Sequence, residues 1–148
     1  MLHISQRMIE ETFTTLRSCG ANERECKLYW LNNWEQPHRL IEIAHPLHTA
    51  SRYGVAINSA WITNFWNDLS AREMRVAVQV HTHPHEAFHS ATDDAFPLLF
   101  HAGFLSLVIP DFAMGPIGFE DAYLTEIQRD GRWQQVQISK RMMINGKF

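Results

Sequence analysis

The chain has 148 residues, 45% of them hydrophobic and 20% charged, and a formal net charge of −3. That length suits one domain with one core, and the composition is far from that of a disordered chain. The mild acidity argues against a general nucleic-acid binder, and two cysteines, Cys19 and Cys26, are too few for a disulfide scaffold or a four-cysteine zinc site.

The first segment, "MLHISQRMIEETFTTL", lacks the basic-then-apolar order of a signal peptide. Within it, residues 5–17 place Met8, Ile9, Phe13 and Leu16 at helical spacing, with Cys19-Gly20 as the stop. "ECKLYWLN" (25–32) predicts a strand, and "RLIEIAHP" (39–46) a second one ended by Pro46. Residues 58–72 predict a helix capped by Asn58 or Ser59, with Trp61, Ile62, Phe65, Trp66 and Leu69 on its core-facing side. "MRVAVQVHTH" (74–83) reads as a buried strand ended by Pro84, and a short helix is expected from Ser90. "GFLSLVIP" (103–110) is another buried strand, and residues 123–138 form a hairpin turning at Asp130-Gly131. No apolar run nears the ~20 residues that span a bilayer. No repeat or linker interrupts the chain, so residues 1–148 read as a single domain of the α/β or α+β class, placed in the cytoplasm.

Four of the nine histidines fall between positions 81 and 89. On a strand, His81 and His83 point to one face, about 6.6 Å apart along the chain, while Val76, Val78 and Val80 are expected on the other. Pro84 ends the strand there and opens the chain into a loop. "SATDD" (90–94) then reads as a helix start, with Ser90 as cap and Asp93 three residues on. A capped first turn would also hold Asp93 rigidly beside the histidines. Two His and one Asp with water as fourth ligand make an open zinc site of the catalytic type.

Glu25 in "RECKLYWL", "HTHP" (81–84), Ser90 and Asp93 together resemble the JAB/MPN (JAMM) zinc metalloprotease family, over most of residues 5–110. The resemblance implies a single mixed, curved β-sheet flanked by helices, the cytidine-deaminase-like JAB/MPN fold. It further implies a Zn²⁺ held by His81, His83 and Asp93, with Glu25 as general base and Ser90 as hydrogen-bond donor to the oxyanion. The zinc would lower the pKa of its water toward ~7. The loop from His83 to Ser90 is one residue shorter than is usual in the family, which leaves Asp94 as the alternative to Asp93.

Within the family the chain looks closest to bacterial stand-alone members encoded beside E1-like and E2-like enzymes and ubiquitin-like proteins. His89-Ser90, Asp93-Asp94 and "GFLSLVIPDF" (103–112) suggest that branch. The implied activity is hydrolysis of a peptide or isopeptide bond that frees a ubiquitin-like protein from its conjugates, as in an antiphage conjugation system. The alternatives are a zinc peptidase acting on a sulfur-carrier protein or short peptide, and a non-catalytic MPN scaffold. The loop "IPDFAMGPIGF" (109–119) is a candidate groove lining. His85 and His89 read as exposed loop residues. His45 and His48 flank Pro46 and are a candidate further metal pair, but without an accompanying carboxylate they read as structural, and Cys26 reads as a small buried apolar residue. The five tryptophans read as packing, with Trp34 alone in a polar loop.

Overall fold

Residues 1–88 and 101–146 are described by a computed structural model. The chain begins with β1 (Leu2–Ser5) and enters α1 (Gln6–Gly20), whose first turn is capped by Ser5 Oγ accepting from the Met8 N–H. Met8, Ile9, Phe13 and Leu16 are buried, as the helical spacing predicts. Cys19 and Gly20 do not stop the helix. The stop is Ala21, left-handed at φ 51°, whose N–H returns to the Arg17 carbonyl.

Then come β2 (Lys27–Asn33), β3 (Glu42–Ala44), β4 (His48–Ser51), β5 (Gly54–Ile57), α2 (Ser59–Ala71) and β6 (Met74–Thr82). Asn58 caps α2 by accepting from the Trp61 N–H. β7 (Leu105–Ile109), β8 (Tyr123–Ile127), β9 (Trp133–Gln135) and β10 (Met142–Asn145) follow. A six-stranded mixed sheet in the order β3-β2-β6-β7-β8-β9 forms the centre, parallel only at β6–β7. The expected mixed sheet with helices is thus present. Two two-stranded sheets are added to it, β1–β10 and β4–β5.

One sheet face packs on α1 through Leu28, Trp30, Val78, Val80 and Leu107. The buried indole of Trp30 donates to Thr12 Oγ1, which itself donates to the Met8 carbonyl. The other face meets α2 through Tyr29, Leu31, Val76 and Phe104 against Phe65 and Leu69. Val76 was expected beside Val78 and Val80. A register shift between Trp30 and Leu31 instead gives it to the α2 side, because one extra residue on β6 flips the alternation. Beyond α2 this face turns polar: Gln79 donates to Ser106 Oγ, and the buried Thr125 donates to the Ser106 carbonyl. His81 continues that polar row toward the end of β6.

Candidate active site

β2 and β6 run antiparallel with Lys27 opposite His81. One step further, the Thr82 N–H donates to the Cys26 carbonyl at 3.1 Å, and the Cys26 N–H donates to Thr82 Oγ1 at 2.9 Å. This carries the register on, so that Glu25 lies across from His83 and on the same face as His81. All three are buried, with relative exposures of 8% for Glu25, 2% for His81 and 4% for His83. The two imidazole centroids are 5.2 Å apart and meet edge to face. The half-exposed Phe88 stands against His83 at 4.6 Å.

Beyond β7 the backbone makes a 3₁₀ turn at Asp111–Ala113 with φ of 55°, 53° and 62°, a left-handed path in three residues that are not glycine. Each such residue costs about 1–2 kcal/mol, so packing and hydrogen bonds must hold the turn. The Phe112 N–H donates to the His83 carbonyl and the Asp111 N–H to the His85 carbonyl, while the His83 N–H donates to Ile109. From α1, the Arg17 guanidinium donates to the carbonyls of Ala113 at 2.6 Å and Gly115 at 2.5 Å. From the β4–β5 hairpin, Arg52 lies over the Phe112 ring. Ile109, Asp111 and Phe112, at the start of the loop suggested as a groove lining, adjoin the histidine segment. Residues Gly115–Asp121 line a cleft of about 120 Å³ together with Phe13 and residues Ile109–Asp111. A larger cleft of about 630 Å³ lies near the other end of β6, among Trp34, Trp66, Met74 and His101.

A probable metalloprotease of Sinorhizobium fredii (strain NBRC 101917 / NGR234), y4jG, is 30% identical over 128 residues, which cover 82% of this chain and 78% of that protein. The crystal structure of AF2198, a JAB1/MPN domain protein from Archaeoglobus fulgidus, superposes with a TM-score of 0.55 at 14% identity, covering 97% of each chain. The chain belongs to the JAB/MPN metalloprotease family. The MPN fold is shared with the solution structure of DSY2949 from Desulfitobacterium hafniense, with a TM-score of 0.68 at 14% identity over 99% of this chain and 94% of that one. A Salinibacter ruber protein gives a TM-score of 0.58 at 16% identity over 93% and 89%. No protein-family profile matches the chain.

For an MPN-family metalloprotease the donor set fits a divalent metal. Two buried imidazoles stand side by side at a strand end, and Glu25, two residues before the Lys27 that pairs with His81, is buried too. His81 and His83 would supply nitrogen ligands. His89, Ser90, Asp93 and Asp94 lie outside the described residues. His85 is exposed, as expected of a loop residue.

A second cluster in this MPN-family chain joins the His45/His48 pair to two cysteines that the sequence does not connect with it. Cys26 is fully buried, as expected, but its sulfur is bonded to Cys19. His45 Nε2 lies 3.2 Å from Cys26 Sγ, and His48 Nε2 lies 3.2 Å from Cys19 Sγ. Burial, and secondarily the neighbouring His48, lowers the His45 pKa and favours its neutral ring. The partners of His45 and His48 are cysteines, not carboxylates. The Cys-x₆-Cys and His-x₂-His spacings match no familiar zinc pattern, so sequence gave no signal.

Proposed function

We propose that this MPN-family protein is a cytoplasmic zinc isopeptidase of the bacterial stand-alone branch. It would process a ubiquitin-like protein or free it from its conjugates, working beside E1-like and E2-like proteins, with antiphage conjugation as the setting. The observation that carries the reading is the shared buried corner of β2 and β6 holding Glu25, His81 and His83, in a chain related to a probable metalloprotease.

In this reading His81, His83 and Asp93 would hold the zinc. Zinc bound there supplies a Lewis acid that makes water nucleophilic near neutral pH. The Glu25 carboxylate takes the proton of the attacking water and passes it to the leaving amine. Its burial keeps competing solvent away from that proton path. Ser90 donates a hydrogen bond to the oxyanion of the substrate's tetrahedral intermediate, an interaction typically worth ~10²–10³ in rate. An extended C-terminal tail suits the site because such tails bind by strand addition. Phe88 offers that tail an apolar contact beside His83.

Metal content and cleavage of a ubiquitin-like fusion, measured in parallel, test the reading. Glu25→Gln keeps zinc in this site and loses ~10²–10⁴ in rate, whereas His83→Ala loses metal and turnover together. Near-normal rates for Glu25→Gln would remove Glu25 from its role. Cleavage of short peptides or a sulfur-carrier fusion alone would shift the substrate class, and zinc with no turnover on any of these would favour a scaffold.

A further inference from the structure

Cys19, Cys26, His45 and His48 place four donor atoms within 4.8 Å of one another. They come from the last turn of α1, the residue before β2, the loop after β3 and the start of β4. His48 Nδ1 lies 2.8 Å from the Pro46 carbonyl. A carbonyl only accepts, so Nδ1 carries the hydrogen and Nε2 is left as a lone pair aimed at the Cys19 sulfur. A disulfide sulfur has no proton to give. The 3.2 Å contact from Nε2 to Cys19 Sγ is therefore no hydrogen bond while the cysteines are paired. It becomes favourable when a cation sits between the two atoms. A backbone carbonyl on the far ring nitrogen is also the usual means of orienting a metal-ligating histidine. The ligand atoms of a tetrahedral S₂N₂ zinc site lie roughly 3.3–3.8 Å apart, close to the two 3.2 Å nitrogen–sulfur contacts found here, and reduction of the disulfide frees the sulfurs to separate.

We propose that the reduced protein binds a second zinc ion at Cys19, Cys26, His45 and His48, a closed site of the structural kind. Zinc binds thiolates and not a disulfide, so each cysteine thiol gives up its proton as the metal enters. Four protein ligands leave no open position, which separates this site from the one at His81 and His83. In the cytoplasmic setting proposed above, thiols are kept reduced and the metal form is the resident one. The site also touches the first. Glu25 adjoins Cys26 in the chain, and its N–H donates to the carbonyl of Ser51, on the same strand as His48. Zinc would fasten both strands that hold Glu25. That consequence, unlike the binding itself, rests on the role proposed for Glu25.

The test is cobalt titration of His81→Ala/His83→Ala protein, with and without a phosphine reductant. The phosphine cleaves the S–S bond, supplies two electrons and leaves as its oxide with the oxygen of water, while both sulfurs become thiols. One cobalt per chain is expected in the reduced protein alone, with intense tetrahedral d–d bands and a thiolate-to-cobalt charge-transfer band. Adding Cys19→Ser/Cys26→Ser should abolish the bands, and so should adding His45→Ala/His48→Ala. Reduced protein without thiolate bands, or bands that survive loss of both histidines, would overturn the proposal. If the His81→Ala/His83→Ala chain fails to fold, zinc is counted in the wild type instead, two ions reduced and one oxidised. One zinc in both states, lost in His83→Ala, would refute this site and leave the proposed function standing. Thiolate bands in the reduced wild type with no zinc dependence on His83 would do the reverse.

Discussion

Thr82 and Cys26 grip each other through unlike groups: one bond runs from backbone to backbone, the other from the Cys26 N–H to the Thr82 hydroxyl. On either side of this pair sit Glu25 and Lys27 where the chain enters β2, and His81 and His83 where it leaves β6. Thr82 is 1% exposed, so no water replaces its hydroxyl easily. Thr82→Val keeps the shape and strands the Cys26 N–H. The expected cost is about 1–3 kcal/mol, seen as a lower urea midpoint at unchanged slope. Turnover should fall with zinc still bound. An unchanged midpoint would mean the strand pair holds its register without the hydroxyl.

The acidic ligand is settled by comparing Asp93→Ala with Asp94→Ala. Asp93→Ala is expected to lose the zinc bound with His81 and His83, and Asp94→Ala to keep it. The opposite pattern would show that the shortened loop shifts the register by one residue.

Arg17→Lys tests the clamp on the left-handed turn. A lysine lacks the planar fork that reaches two carbonyls at once. Amide exchange at Phe112 and Met114 should speed up by ~10-fold, the equivalent of one net hydrogen bond, with a smaller effect on the core of α1. Equal exchange in both proteins would mean Phe112 packing alone holds the turn.

Glu126 and Arg141 join β8 to the residue before β10 through two charge-assisted hydrogen bonds, at 2.8 and 3.0 Å. Those bonds, opposed by partial burial, hold the Glu126 carboxyl below its ordinary value of 4.5. A depressed folded pKa stabilises the fold above the unfolded value, and the gain disappears as pH falls through the folded one. Arg141 is about a third exposed, so the pair contributes only ~0.5–1 kcal/mol. Glu126→Gln should cost that much at pH 7 and progressively less below pH 4.5. A cost independent of pH would point to packing.

The parts of the fold legible in the sequence were those with a local cause. Met8, Ile9, Phe13 and Leu16 repeat at the helical period and are buried. Asp130-Gly131 makes the predicted turn, with Gly131 at φ 82°. His81 and His83 share a face because they sit two apart on a strand, and both are buried together. What stayed hidden depends on partners far away in the chain. The strand expected at 39–46 shrinks to Glu42–Ala44 because the Leu40 N–H is taken by the His3 carbonyl of β1. Val76 changes sides through a shift in β2–β6 pairing that no residue type announces. Cys26 and His45 meet only because β3 folds back along β2 and the chain then turns into β4.

The β1–β10 pair gives the chain an order of completion. Leu2 pairs with Met142 and Ser5 with Asn145, in parallel, and the Gln6 N–H at the head of α1 donates to Gly146. During synthesis α1 emerges early, with its cap and apolar stripe already encoded. Its leading strand meets residues 38–40 through His3, but its full pairing along Leu2–Ser5 waits for Met142–Asn145. Closing so long a loop is slow compared with forming a helix or hairpin. The six-stranded sheet can therefore assemble first, and this parallel pair is the seam that closes last.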